Sequence, residues 1–289
     1  MPELPEVETT KTSLAPLLGH TITWVNTSQK RLREPLPDTL DTLVGLSLGQ
    51  VRRRAKYLLL DFYQPHSHAP DKTLLIHLGM SGSLGQFAKG TPIRKHDHVM
   101  IGFDNDITLH YHDPRRFGMV MWAKDASSYL DKLGIEPLEE GFDGEYLYNR
   151  IWQNPKRPIT RPIKSVIMEQ KIVVGVGNIY AAESLFLSGI HPATPASLLN
   201  QEQLNHLAAH IKAILTKAIE VGGSTLKDFS VGDNQTGYFQ QTLLAYGRAG
   251  NPCTICHLPL ETMQISGRAS VFCPSCQPLI TTPPISLKN

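Results

Sequence analysis

All four cysteines of this 289-residue chain lie close to its C-terminus, and they constrain its folding more than any other feature. Cys253, Cys256, Cys273 and Cys276 form a C-x2-C pair, a sixteen-residue interval and a second C-x2-C pair. That spacing brings two thiolate pairs onto one tetrahedral cation, and the interval is long enough for a β-hairpin. Four thiolates close the coordination shell and leave no position for water. The expectation is one structural Zn2+ per chain, with no catalytic part. Two disulfides are the other reading, and they suit an oxidising compartment. The start, Met-Pro-Glu-Leu-Pro-Glu, is acidic and proline-rich, the opposite of a secretory leader. No window approaches the run of about 18 apolar residues that a membrane span needs. The expected setting is soluble and cytoplasmic.

Hydrophobic residues make up 41% and charged residues 19%, which excludes a wholly disordered chain. Lysine and arginine number 28 against 26 acids, a net charge of +2. A polyanion would therefore have to be met by local patches. Such patches recur at Lys30-Arg31-x-Arg33, Arg52-Arg53-Arg54-Ala55-Lys56, Arg115-Arg116 and Lys156-Arg157-x3-Arg161-x2-Lys164. One basic run reads as a solvated face or a protected sheet edge. Repetition in a near-neutral chain favours a phosphate-binding track.

The texture of the chain divides it. Residues 1–130 are strand-rich, with short apolar and β-branched runs at Thr21–Val25, Gln50–Tyr63, Thr73–Leu78, Val99–Phe103, Ile107–Tyr111 and Met119–Trp122. An early helix opens near Pro5, takes an apolar face from Val7, Leu14, Leu17 and Leu18, and stops at Gly19. This pattern predicts a β-sandwich or barrel. Residues 131–145 read as a linker, and 146–245 as a helical domain. Its clearest helix is Asn200–Val221, with Leu204, Leu207, Ala208, Ile211, Leu215, Ala218 and Ile219 on one face and Asn200 and Gln203 as a capping pair. The zinc module follows at 246–280, and 281–289 reads as a frayed tail. The class is α+β and multidomain, without internal repeats.

Two familiar motifs fail. Val174-Gly175-Val176-Gly177-Asn178 has Tyr180 where a dinucleotide loop needs its third glycine, and no βαβ unit surrounds it. Gly79-Met80-Ser81-Gly82-Ser83 lacks the closing glycine of a nucleophile elbow. No nucleotide cofactor is expected. The N-terminus offers more. Removal of Met1 would expose Pro2 as a secondary amine with a pKa of about 8, able to form an iminium with a sugar C1′. Glu3 and Glu6 could move protons beside it, although acidic residues at a helix start also serve merely to offset its dipole. Asp113-Pro114-Arg115-Arg116-Phe117-Gly118 has the chemistry of a wedge, with arginine for an orphaned base and phenylalanine to insert between base steps. Met80 could be a second apolar plug. The alternative is a β-turn with Phe117 in the core. His96 and His98 alternate on a strand, one side facing outward.

Taken together these blocks resemble the bacterial formamidopyrimidine-DNA glycosylase family. Pro2-Glu3-Leu4-Pro5-Glu6-Val7-Glu8-Thr9, Arg53-Arg54-Ala55-Lys56-Tyr57, His77 to Gly82, Lys95 to Val99, Asp113 to Gly118, Val173 to Tyr180 and the four cysteines stand in the family's order from Pro2 to Cys276. The resemblance implies a base-excision repair enzyme for oxidised purines such as 8-oxoguanine and formamidopyrimidines, acting on a flipped nucleotide in duplex DNA. It implies Pro2 as nucleophile, Glu3 as acid/base, Lys56 as helper at the phosphate and in β-elimination, and Arg268 as phosphate grip linked to δ-elimination. It also implies that Met80, Arg115 and Phe117 fill the vacated space, and that His96 and Asn178 contact DNA. A β-sandwich, a helical helix-two-turn-helix domain and a zinc finger that together clamp damaged DNA are expected, in a monomer. The segment Asn154–Arg161 aligns poorly, so whether Arg157 or Arg161 meets phosphate stays open; Arg161 is the candidate. The 224–239 stretch corresponds to the loop over the damaged base. Two rivals are an endonuclease VIII-like glycosylase for oxidised pyrimidines and a non-catalytic zinc-ribbon DNA binder. Leu4 and the full Met80, Arg115, Phe117 set favour the purine branch.

Overall fold

Between Ile22 and Trp122 short apolar runs alternate with tight turns, and in the computed structural model they form two four-stranded antiparallel sheets. One sheet has the order β2 (Ser47–Arg54), β3 (Tyr57–Tyr63), β4 (Lys72–His77), β8 (Met119–Trp122). The other has the order β1 (Ile22–Thr27), β6 (Asp97–Phe103), β7 (Ile107–His112), β5 (Ser83–Ala88). Leu58, Leu60, Phe62, Leu74 and Ile76 of the first share one buried cluster with Val99, Ile101, Leu109 and Tyr111 of the second. The sheets therefore pack face to face as a sandwich. The structure describes residues 2–28, 31–222 and 243–282. Lys30, the 224–239 loop and residues 283–289 of the tail lie outside them.

The sequence reading missed two features here. The run Gln50–Tyr63 is not one strand but the hairpin β2–β3, turning at Ala55-Lys56. Neither residue signals a turn, and Ala55 takes a left-handed φ of 54° without being glycine. Strand β5 went unread because Gly85 interrupts its apolar pattern. The Phe87 ring covers that glycine, lying 2.7 Å from where a Cβ would stand.

Helix α1 (Leu4–Ser13) packs against β2 and β3, and Val7 joins the sandwich core. A 3₁₀ turn at Ala15–Leu17 follows, which buries Leu14 and Leu17 but leaves Leu18, expected on the same face, 42% exposed.

The chain divides into two compact units at Asp131/Lys132. After the short helix α2 (Ser127–Leu130) closes the first, Gly134 donates its N–H to Gln170 O at 2.8 Å and Ile135 bridges Val173. In the second unit α3 (Gly144–Ile151) and α5 (Asn178–Leu187) pack on α6 (Gln201–Glu220), while α4 (Ile163–Ile167) contacts α5. Asn200 and Gln203 cap α6 reciprocally, at 2.9 and 3.0 Å, as expected. Ile214 takes a place in its buried face, and Ile219 is only half-buried. Strands β9 (Glu261–Ile265) and β10 (Arg268–Phe272) form the hairpin between the cysteine pairs. Glu183 of α5 is sealed from solvent and accepts three successive backbone N–H groups, from Leu244, Ala245 and Tyr246, at 2.7–2.9 Å. One helix thus fixes the entry to the cysteine module. Gln277 fixes its exit by donating to Ile190 O and accepting from Cys273 N–H, both at 2.8 Å.

Candidate active site

Pro2, Glu3 and Glu6 are all buried at the head of α1. Glu3 is the N-cap, in extended backbone, and its N–H donates to Glu6 Oε2 at 2.8 Å. Glu6 is thereby turned back onto the backbone, and Glu3 is the acid adjoining Pro2. Lys56 sits in the β2–β3 turn and is only 6% exposed. Across the sheet Tyr57 pairs with His77, their ring centroids 4.9 Å apart. Burial, reinforced by the charges of Lys56 and Arg33, pushes the His77 pKa down to about 4. Its Nδ1 accepts the Gly79 N–H at 3.0 Å, so the imidazole is neutral at pH 7 and holds the peptide leading to Met80. In the sequence His77 stands in the His77 to Gly82 block with no local signal of this role. Its position one strand away from Lys56 is visible only in the sheet register.

Met80 and Phe117 are large apolar side chains left 41% and 47% exposed. Phe117 is therefore not in the core, although a β-turn does form at Asp113–Arg116, closed by Arg116 N–H donating to Asp113 O at 3.2 Å. Arg115 is also exposed, its guanidinium carbon 4.9 Å from the Phe117 ring centroid. The two turns that carry this trio are locked together from below. Asp113, fully buried, accepts from Ser81 Oγ and from Gly118 N–H, both at 2.8 Å, while Arg115 N–H donates to Ser81 Oγ at 3.3 Å. Gly79 has φ 63°, and a Cβ there would stand 2.5 Å from Gly118 N. The backbones touch, and only glycine fits.

His96 is half-buried and lies edge-on to His98 and His112, at 6.3 and 5.9 Å between centroids. His98 turns inward, its Nε2 2.9 Å from Asp113 O. Between them Asp97 is sealed from solvent. Burial would raise its pKa, but hydrogen bonds from Arg94, His110 and His112 outweigh that and hold it down to about 2.

In the second unit Arg268 is exposed at the head of β10, just after Ser266-Gly267, both at positive φ (49° and 73°) as a two-residue type I′ turn requires. Asn178, first residue of α5, donates from Nδ2 to Ala269 O at 3.2 Å. Lys164, part of the basic run at 156–164, does not lie on the surface. It is 1% exposed, and its Nζ donates to Ala269 O at 3.1 Å and Ser270 Oγ at 2.7 Å. It fastens α4 to the hairpin and leaves the surface track to others. Arg161 is exposed and ion-paired with Glu169.

The four cysteines carry no disulfide, and their Sγ atoms all lie within 4.8 Å of one another. Backbone N–H groups of Ile255 and Cys276 point at Cys253 and Cys273 sulfur, each at 3.4 Å. This set can hold a metal ion. Among the described residues no helix is long and apolar enough to cross a membrane.

One unit is a strand sandwich with a projecting Met, Arg and Phe trio, the other a set of helices closed by a four-cysteine hairpin, and the second carries the domain of the H2TH class of DNA glycosylases. Within it the chain belongs to the formamidopyrimidine-DNA glycosylase family, whose N-terminal domain matches residues 1–120 and whose H2TH domain matches residues 133–230. It is 54% identical to the formamidopyrimidine-DNA glycosylase of Psychrobacter arcticus, over 97% of this chain and 100% of that protein. It is 50% identical to that of Acinetobacter baylyi, over 96% and 99%. Among solved structures, the MutM (Fpg) protein of Thermus thermophilus superposes with a TM-score of 0.83 at 34% identity, covering 97% of this chain and 100% of that one. Lactococcus lactis Fpg bound to DNA containing an abasic site superposes at 0.84 with 32% identity, covering 96% and 99%.

The half-buried His77, neutral at pH 7, gives a pH signature. Unfolded histidine takes up a proton near pH 6.5 but folded His77 only near 4, so the unfolded state binds more protons in between. Its contribution is complete above pH 6.5 and is lost as pH falls toward 4, by roughly 3 kcal/mol at most. His77→Asn keeps an acceptor for Gly79 N–H and removes the titration. Thermal melts from pH 7.5 to 4 should show a flatter decline for the variant; parallel curves would place the acid sensitivity elsewhere.

Proposed function

We propose that this chain is a base-excision DNA glycosylase for oxidised purines in duplex DNA, with abasic-site lyase activity. The observation that carries this reading is the burial of Pro2 and Glu3 at the head of α1, packed on the hairpin whose turn holds Lys56. An amine removed from bulk water beside an acid suits covalent catalysis at a sugar. The substrate class follows the relatives, whose DNA complexes contain Fapy-dG, carbocyclic 8-oxo-G or an abasic site.

With Met1 removed, the Pro2 nitrogen attacks C1′. The N–C1′ bond forms, the glycosidic bond breaks, and the base leaves with the bonding pair and a proton. Glu3 carries protons between the ring oxygen and the amine as the sugar opens. The product is an iminium, charged by necessity because the amine is secondary. It withdraws electrons from C2′, so a C2′ proton departs and the C3′–O bond breaks, the 3′-flanking strand leaving with its 5′-phosphate; loss of the C4′ proton then breaks the C5′–O bond, and water hydrolyses the iminium to return the Pro2 amine. Lys56 steadies phosphate and helps this elimination, and Arg268 grips phosphate from the hairpin turn. Met80, Arg115 and Phe117 enter the space the flipped nucleotide leaves, with Arg115 facing the widowed base. His96 and Asn178 contact the backbone, and Arg161 does so once released from Glu169. The four thiolates hold one Zn2+, which shapes the hairpin when bound and takes no part in the chemistry.

Borohydride trapping on 8-oxoguanine duplex tests the reading. The processed protein should yield a covalent adduct, whereas a form with residues fused ahead of Pro2, verified by mass spectrometry, should not; equal trapping by both would sink the Pro2 assignment. Arg115→Ala should lose about 1–3 kcal/mol of preference for C over A opposite the lesion, with a preformed abasic site handled nearly normally. A uniform loss for all substrates would make Arg115 a phosphate anchor. Cys256→Ser should lose zinc by metal analysis and weaken DNA binding, and normal binding without zinc would remove the structural role.

A further inference from the structure

We propose that Arg53 is a positioning residue that sets the Lys56 turn against the helix bearing the N-terminal nucleophile. The inference rests on the reading of Pro2 and Lys56 given above, and it adds a residue to which that reading gives no task. The Arg53 side chain is 11% exposed, and its guanidinium binds two different elements at once. Nε donates to Glu8 Oε2 of α1 at 2.6 Å, and Nη1 donates to Ala55 O at 2.9 Å. The second acceptor is the carbonyl of the peptide that leads directly into Lys56.

Three facts give this bridge its meaning. Its neighbour Arg52 is employed differently, paired through two nitrogens with Asp61 at 2.6 and 2.8 Å on the other face of the strand. Ala55 holds a left-handed φ of 54° while 1% exposed. A non-glycine residue stays there only where its surroundings over-determine the conformation, and the bond from Arg53 to its carbonyl is one such determinant. Finally, Glu8 is fixed on its own side, since Lys11 Nζ binds Oε1 at 2.6 Å. Burial alone would raise the Glu8 pKa, but the bonds from Lys11 and Arg53 keep it below its usual value, so the anchor stays charged. A planar guanidinium presents its donors at set angles, so it fixes the relation of helix to turn. Lysine at 53 would keep the charge and lose the fork.

The test separates the two chemical stages on DNA with a preformed abasic site, in single turnover. Borohydride trapping measures iminium formation at Pro2, and strand scission measures elimination. Wild type and Lys56→Ala are run alongside. Arg53→Lys should stay folded by thermal melt, trap within about threefold of wild type, and cut at least tenfold more slowly. Glu8→Gln, which still offers an oxygen to Nε, should keep both rates within about threefold. If Arg53→Lys does not fold, Glu8→Ala is read in its place, with the same split at smaller size. Trapping and scission that fall by one common factor, or do not change, would overturn the positioning role while Lys56→Ala still slows scission. If Lys56→Ala cuts normally or wild type is not trapped, the catalytic reading itself fails and this inference falls with it.

Discussion

The carboxylate of Asp113 is sealed from solvent beneath two turns and is held by Ser81 Oγ and the Gly118 N–H. Burying a charge of this kind is costly unless its oxygens are well met. Here the donors belong to the two loops that must stay in register, so the requirement to satisfy one carboxylate becomes a constraint on both. The contact of Gly79 with Gly118 leaves no room for either loop to slide. Side chains as apolar as Met80 and Phe117 can then stand exposed without collapsing inward. The sandwich beneath supplies stiffness, and Asp113 converts it into a fixed projection.

A parallel device operates in the second unit. Lys164, an ammonium almost wholly withdrawn from water, reaches Ala269 and Ser270 on the hairpin, and Glu183 gathers three amides at the module's entry. The cysteine module is too small to bury much of a core of its own. Its orientation is set by polar bonds from α4 and α5 as much as by packing, which keeps Arg268 at a defined place on the turn.

What could be read from the sequence follows the range of the physics. The cysteine spacing, the Asn200–Gln203 cap and most of the face of α6 are written within a few residues of one another and are found in the fold, with Ile214 buried and Ile219 only half-buried. The turn at Ala55-Lys56 was not legible because its left-handed residue is held by Arg53 and not by glycine chemistry. The inward turn of Lys164 depends on Ser270, 106 residues away, and in sequence it looks like any other lysine of a basic cluster. His77 gains its meaning from strand pairing alone. The candidate site residues stand in local motifs, whereas the groups that hold them in place carry no local signal.

Because every thiol in the chain belongs to one cluster of four, the protein has a built-in reporter of the state of its hairpin. A thiol-specific reagent can strike nowhere else. Slow modification would measure opening of the cysteine module, and the number of sulfurs that react before and after adding Zn2+ would show whether an ion shields them. By the same logic, a single cysteine introduced on the exposed face of the sandwich would stand apart from the native four, which react, if at all, as one cluster.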